Sequence, residues 1–142
     1  GGEYCVGEHS VTWNAPLNSW LLLYGCIVDS ATGPESRIEV RVAPQPWGPW
    51  SAPTVLLTNH DVGVVCTLVM RAATGCAGQR NYWLKVAPVV GGFFYAPFVM
   101  NRFTVDSTPA GGGSTKQATI YWLVSTWNPY NVVVMQSTLQ LE

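Results

Sequence analysis

Asp61 to Arg71, DVGVVCTLVMR, is the longest segment of the chain with no turn residue except Gly63. Val62, Val64, Cys66, Leu68 and Met70 alternate with Val65, Thr67 and Val69, so both faces of an extended chain would be apolar. Such a run describes a strand buried in the middle of a sandwich, although a buried helix segment gives a similar pattern over so few residues. β-branched content and the turn formers on both sides favour the strand. This stretch is the expected centre of the fold.

Working outward, the same alternation recurs in shorter pieces. Glu3 to Val6 and Glu8 to Trp13 read as strands around Gly7, Ser19 to Val28 as a strand with Gly25 a bulge candidate, and Asp29 to Glu35 as a loop. Arg37, Glu39 and Arg41 alternate with Ile38, Val40 and Val42, the pattern of a half-exposed strand with its charges outward. Ala43 to Pro53 holds Pro44, Pro46, Pro49 and Pro53, which rule out a helix or a central strand there. A short strand follows at Thr54 to Thr58. Ala72 to Gly78 reads as a loop and Asn81 to Val86 as a strand.

Phe93 to Val105, interrupted by Pro97, reads as two short strands or one bent edge strand, and Ser107 to Thr115 as a surface loop. Gln117 to Thr126 and Asn131 to Leu141 close the chain as strands joined by Trp127-Asn128-Pro129-Tyr130. No sustained 3.6-residue period occurs. The expectation is an all-β fold: one antiparallel β-sandwich domain over residues 1–142, jelly-roll-like, with about eight to ten short strands.

Composition bounds the function. Only 11% of residues are charged, against about 25% in an average soluble domain, while 48% are hydrophobic and seven are Trp. That much apolar content is hard to hide in one copy, so part of it is expected to face another subunit or a ligand. Lys and Arg are scattered singly and the formal charge is −1, which argues against nucleic-acid binding. The longest apolar run, Trp20 to Tyr24, is far short of the roughly 20 residues of a spanning helix, so no membrane insertion is expected.

Four cysteines stand at 5, 26, 66 and 76. Cys66 with Cys76 closes the shortest loop and is the candidate disulfide. A chain this apolar does not depend on cross-links, so free thiols are the first expectation. No Cys-x-x-Cys pair is present, and no metal or cofactor is expected. His9 and His60 read as surface and turn residues. No nucleophile elbow accompanies them, and the eight carboxylates read as solvated, so the chain is not expected to be an enzyme.

The binding candidates are aromatic. Trp47 and Trp50 sit on the proline-stiffened loop, where rings lose little entropy on contact, and Trp127 and Tyr130 occupy the last turn. Val11-Thr12-Trp13-Asn14-Ala15-Pro16 with Trp47 to Pro53 and Thr58 resembles landmarks of fibronectin type III domains. The likeness covers only Ser10 to Thr58, too short for a domain of that family, which runs to about 100 residues.

Across the whole chain, the wealth of Val, Thr, Pro, Gly and aromatics and the shortage of charge resemble the jelly-roll or projecting β-sandwich coat proteins of small non-enveloped RNA viruses. That resemblance implies a virion structural protein that self-assembles with copies of itself or related coat subunits, without the basic arm that holds RNA in many of them, and with a host receptor or glycan as a further partner. The alternative is a secreted, lectin-like carbohydrate-binding module using Trp47 and Trp50, with Cys66 and Cys76 bridged.

Overall fold

The computed structural model describes residues 3–5, 7–30, 33–61, 64, 68–69, 92–111, 114–127 and 130–142. The fold is all-β and antiparallel, as the alternating patterns require. The described strands are β1 (Glu3–Tyr4), β2 (His9–Asn14), β3 (Ser19–Ser30), β4 (Gly33–Ala43), β5 (Thr54–Thr58), β6 (Phe93–Val99), β7 (Val105–Asp106), β8 (Lys116–Trp127) and β9 (Asn131–Leu141), with a 3-10 turn at Asn101–Phe103. They form two sheets. In the first, β1 and β2 lie end to end along β3, followed by β4 and β5; in the second, β6 and β7 lie end to end along β8, with β9 on its other side. The layers are those of a sandwich, and within each sheet the strands follow one another as a meander.

The core lies between the sheets. On β8, Ala118, Ile120, Trp122, Val124 and Thr126 are all buried, at period two. Ala118, Ile120, Trp122 and Val124 join Leu21 and Leu23 of β3 and Ile38 and Val40 of β4 in one apolar cluster. Trp122, the largest fully buried side chain, also satisfies its indole N–H by donating to Ser137 Oγ on β9 at 3.1 Å. The central strands are therefore β3 and β8.

Of the stretch Asp61 to Arg71 the described residues are Asp61, Val64, Leu68 and Val69, and none of them lies in one of these strands. Its described residues bond locally: the Val64 N–H donates to the Asp61 carbonyl, and the Leu68 N–H to the Val64 carbonyl at 2.9 Å. This is turn and helical-turn bonding, the other conformation that an apolar run with no period of its own can adopt. Burial does hold, since Val64 and Val69 belong to the core. The loop read at Ala72 to Gly78 and the strand read at Asn81 to Val86 lie outside the described residues.

Two local expectations change. Asp29 to Glu35 belongs largely to a hairpin, because β3 and β4 stay in register to Asp29↔Pro34 and Ser30↔Gly33. Pro34 is tolerated as a residue near the start of its strand. The ladder also runs straight through Gly25, opposite Ile38, and the irregularity falls instead between Ile38 and Glu39 where β4 meets β5. The bend around Pro97 is found: the register of β6 shifts between Tyr95 and Phe98, and Ala96 takes a left-handed φ of 48°.

Candidate functional site

Residues directly opposite each other in an antiparallel ladder share a face, so the register lays out each outer surface. On the second sheet, one row across β6, β8 and β9 is Phe98–Leu123–Val134, and the next is Tyr95–Ser125–Val132. Phe93 opposite Trp127 follows. None of these side chains is charged. Phe98 is 57% exposed and Val134 61%, so this is an open apolar sheet face.

Its end carries two of the aromatic candidates. Trp127 stacks on Phe93 with centroids 5.6 Å apart and meets Tyr130 edge-on at 6.5 Å. Tyr130 is 64% exposed. The three rings continue the apolar rows to the edge of the sheet.

The outer face of the first sheet carries the charges of β4 among apolar side chains such as Val11, Leu22 and Val55. The row His9–Tyr24–Glu39 crosses β2, β3 and β4, with Leu22 opposite Arg41 on one side of it and Cys26 opposite Arg37 on the other. The charges of β4 do point away from the core, as their alternation requires. Glu39 is nevertheless only 4% exposed. Its burial is compensated: the Tyr24 hydroxyl donates to Oε2 at 2.5 Å, and Arg37 donates to Oε1 at 3.4 Å. Arg41 Nε donates to the Tyr24 hydroxyl at 2.9 Å, and its Nη1 donates to the Ser51 carbonyl at 3.0 Å. Burial pushes the Tyr24 phenol above its ordinary pKa; the Arg41 hydrogen bond opposes this and Glu39 reinforces it.

Beside that network lies a cavity of about 330 Å³ lined by Cys5, Gly7, His9, Leu22, Tyr24, Arg41 and Trp50. Trp50 reaches it where the loop turns at Gly48, whose φ of 99° strains any other residue and where an added Cβ would lie 3.0 Å from the Trp50 nitrogen. Trp47, on the same loop, is 78% exposed and lines no part of this cavity. The structure thus separates the two tryptophans that sequence grouped together, and no ring contact joins either of them to Trp127 and Tyr130 among the described residues. A wider cleft of about 620 Å³ opens between β4–β5 and β9, lined by Val55, Leu56, Leu139 and Leu141 among others.

The expected thiols are corrected at one pair. Tyr4 lies opposite Ile27, which sets Cys5 opposite Cys26, and the two form a disulfide. Cys66 and Cys76 lie outside the described residues. His9 is exposed at the sheet edge, and His60 sits in the turn after β5, where its N–H donates to Thr58 Oγ1. Tyr24 and Glu39 escaped the sequence reading, because alternation places both on an outer face without saying that a loop and a disulfide cover it. Phe98, Val132 and Val134 escaped it too, since an apolar residue on a strand reads as core until its register is known.

No curated protein and no solved structure matches the chain. Residues 2–136 match a family model whose description is a domain of unknown function, DUF4185, and with almost its whole length inside that match the chain belongs to the DUF4185 family.

Proposed function

We propose that this domain is an assembly subunit, which works by packing the outer face of its second sheet against the same face of another copy, the part that a coat protein plays in a virion. The observation that supports this reading is the uncharged surface Phe98–Leu123–Val134 with Tyr95, Val132 and the Phe93–Trp127 pair beside it. Large apolar faces on soluble proteins mark interaction surfaces, and two sheets of this kind pack face to face at about 10 Å. An uncharged patch is also compatible with itself, which an isologous contact demands. In this reading the partners are further copies or related subunits.

Light scattering over a concentration series tests it. The expected result is a mass that rises with concentration, and a Val134→Lys, Phe98→Lys double variant that stays monomeric with its β-sheet circular dichroism intact. A wild-type chain that is monomeric at every concentration overturns the proposal.

A second reading, a secreted saccharide-binding module, is favoured by Trp50, Tyr24 and Arg41 around the cavity on the first sheet. An aromatic wall with a few fixed polar groups suits a sugar ring, and the Cys5–Cys26 bridge suits an oxidising compartment. Titration with a panel of neutral and acidic saccharides distinguishes it. Binding lost in Trp50→Ala and kept in Trp47→Ala is expected, and no binding by the wild type rejects it.

A further inference from the structure

Sγ of Cys5, Sγ of Cys26 and a carboxylate oxygen of Glu39 all lie within 4.8 Å of one another. We propose that, once the Cys5–Cys26 disulfide is reduced, these three residues form a site for a thiophilic divalent cation of the Zn²⁺ class, so that the disulfide and the metal are alternative closures of the same corner of the first sheet.

Four features of the corner support this. Donor atoms around a tetrahedral zinc ion with Zn–S near 2.3 Å and Zn–O near 2.1 Å are about 3.5–4 Å apart, so on reduction the two sulfurs separate by about 2 Å and the carboxylate oxygen closes in by about 1 Å. The carboxylate is already oriented from behind, because Tyr24 and Arg37 both donate to it. The charge balances: Glu35, Arg37, Glu39 and Arg41 on β4 sum to zero, and two thiolates with one divalent cation add nothing to that sum. Access exists, because Cys5 lines the cavity, leaving a coordination position that water can fill. No close sequence spacing announces the set; the register of β3 with β1 and β4 assembles it.

A dithiol supplies two electrons and two protons and leaves as its own disulfide, or a phosphine supplies the two electrons while one water supplies both protons and the oxygen of the phosphine oxide; either cleaves the S–S bond to two thiols. The metal then displaces both thiol protons to buffer as two metal–thiolate bonds form. Neither step depends on the assembly reading, and failure of either proposal leaves the other standing.

The test uses the whole chain, reduced with a water-soluble phosphine, freed of it without air, and titrated with Cd²⁺ as a spectroscopic substitute for Zn²⁺. A thiolate-to-cadmium absorption band is expected, displaced by Zn²⁺, and absent from the unreduced protein. Cys5→Ser and Cys26→Ser abolish it, the Cys66→Ser, Cys76→Ser double variant keeps it, and Glu39→Gln weakens binding about tenfold or more. If Glu39→Gln loses its β-sheet circular dichroism, Glu39→Asp takes its place, with a smaller weakening expected. The proposal is overturned if reduced protein gives no band, if the band survives Cys5→Ser and vanishes with Cys66 and Cys76, or if a folded Glu39 variant binds as tightly as the wild type.

Discussion

The hydroxyl of Ser36 ties the two sheets together at Phe94: its Oγ accepts the Phe94 N–H at 2.9 Å and donates to the Phe94 carbonyl at 3.4 Å. Ser36 lies on β4 of the first sheet and Phe94 on β6, which pairs only with β8 among the described strands. The side chain thus satisfies main-chain groups on the edge of the second sheet that would otherwise be buried without partners. Its own backbone is fixed in turn, since the Ser36 N–H donates to Asn59 Oδ1 at 3.2 Å and its carbonyl accepts the Asn59 N–H at 3.0 Å. Ser36→Ala leaves the Phe94 N–H unsatisfied, and a loss of about 1–3 kcal/mol is expected in urea unfolding. Asn59→Ala, which frees the same strand end, is expected to fall in that range too. A Ser36→Ala midpoint equal to the wild type's would show that water replaces the hydroxyl without cost.

Trp122 fills the middle of the core and holds Ser137 from inside. Truncating so large a side chain to Ala costs about 3–5 kcal/mol, against a total stability of about 5–15 kcal/mol for a domain. Trp122→Ala is expected to be largely unfolded or close to it, while Trp122→Phe folds with a smaller loss and a Ser137 hydroxyl without its donor. Near-ultraviolet circular dichroism and urea midpoints of the two variants provide the check. A Trp122→Ala protein within about 1 kcal/mol of wild type is incompatible with a shared core between the sheets.

Tyr24 gives the fold an alkaline limit. Burial favours its neutral form, and Glu39 adds to this against the opposing Arg41 bond, so its folded pKa lies above the ordinary 10.0. The sign follows from linkage: the unfolded chain releases this proton first, so the contribution is complete below pH 10 and is lost as pH rises through the raised folded value. Unfolding free energy should fall on going from neutral pH to beyond pH 10, and the phenolate absorbance that Tyr24→Phe removes should appear only above the ordinary pKa of 10.0. Tyr24→Phe is expected to flatten that alkaline fall and to be less stable at neutral pH, because Glu39 Oε2 loses its donor. An equally steep fall in Tyr24→Phe assigns the effect to another group.

How much of this was legible in sequence depends on how much a strand's pattern is local. The β8 and β9 hairpin was readable because Ala118 to Thr126 alternate over a long run and a Pro-containing turn follows. The local turn bonding of Val64 and Leu68 within Asp61 to Arg71 was not, because apolar residues on both faces carry no period that separates strand from turn. The site was split in the same way. Trp50, Trp127 and Tyr130 were visible as aromatics on turns, whereas the Tyr24–Glu39 pair and the Cys5–Cys26 bridge come from registers fifteen and twenty-one residues apart in sequence. Loop length alone pointed to Cys66 and Cys76, since it takes no account of which strands become neighbours.

The Cys5–Cys26 bridge fastens the β1 edge to the central strand of the first sheet, and its partners are 21 residues apart. Closing a loop of this size removes unfolded-chain entropy amounting to about 3 kcal/mol. A Cys5→Ser, Cys26→Ala variant is therefore expected to lose about that much in urea unfolding, with a steeper transition because its unfolded chain is less compact. Cys26 is the more deeply buried of the two, so Cys5→Ala, Cys26→Ser should be the worse pairing, because it leaves a hydroxyl in the position sulfur held. Unfolding of both variants and of the oxidised wild type, each free of reductant, separates these contributions. Midpoints unchanged in both would mean that β1 docks on β3 by its backbone ladder alone, and that the bridge adds no stability to the first sheet.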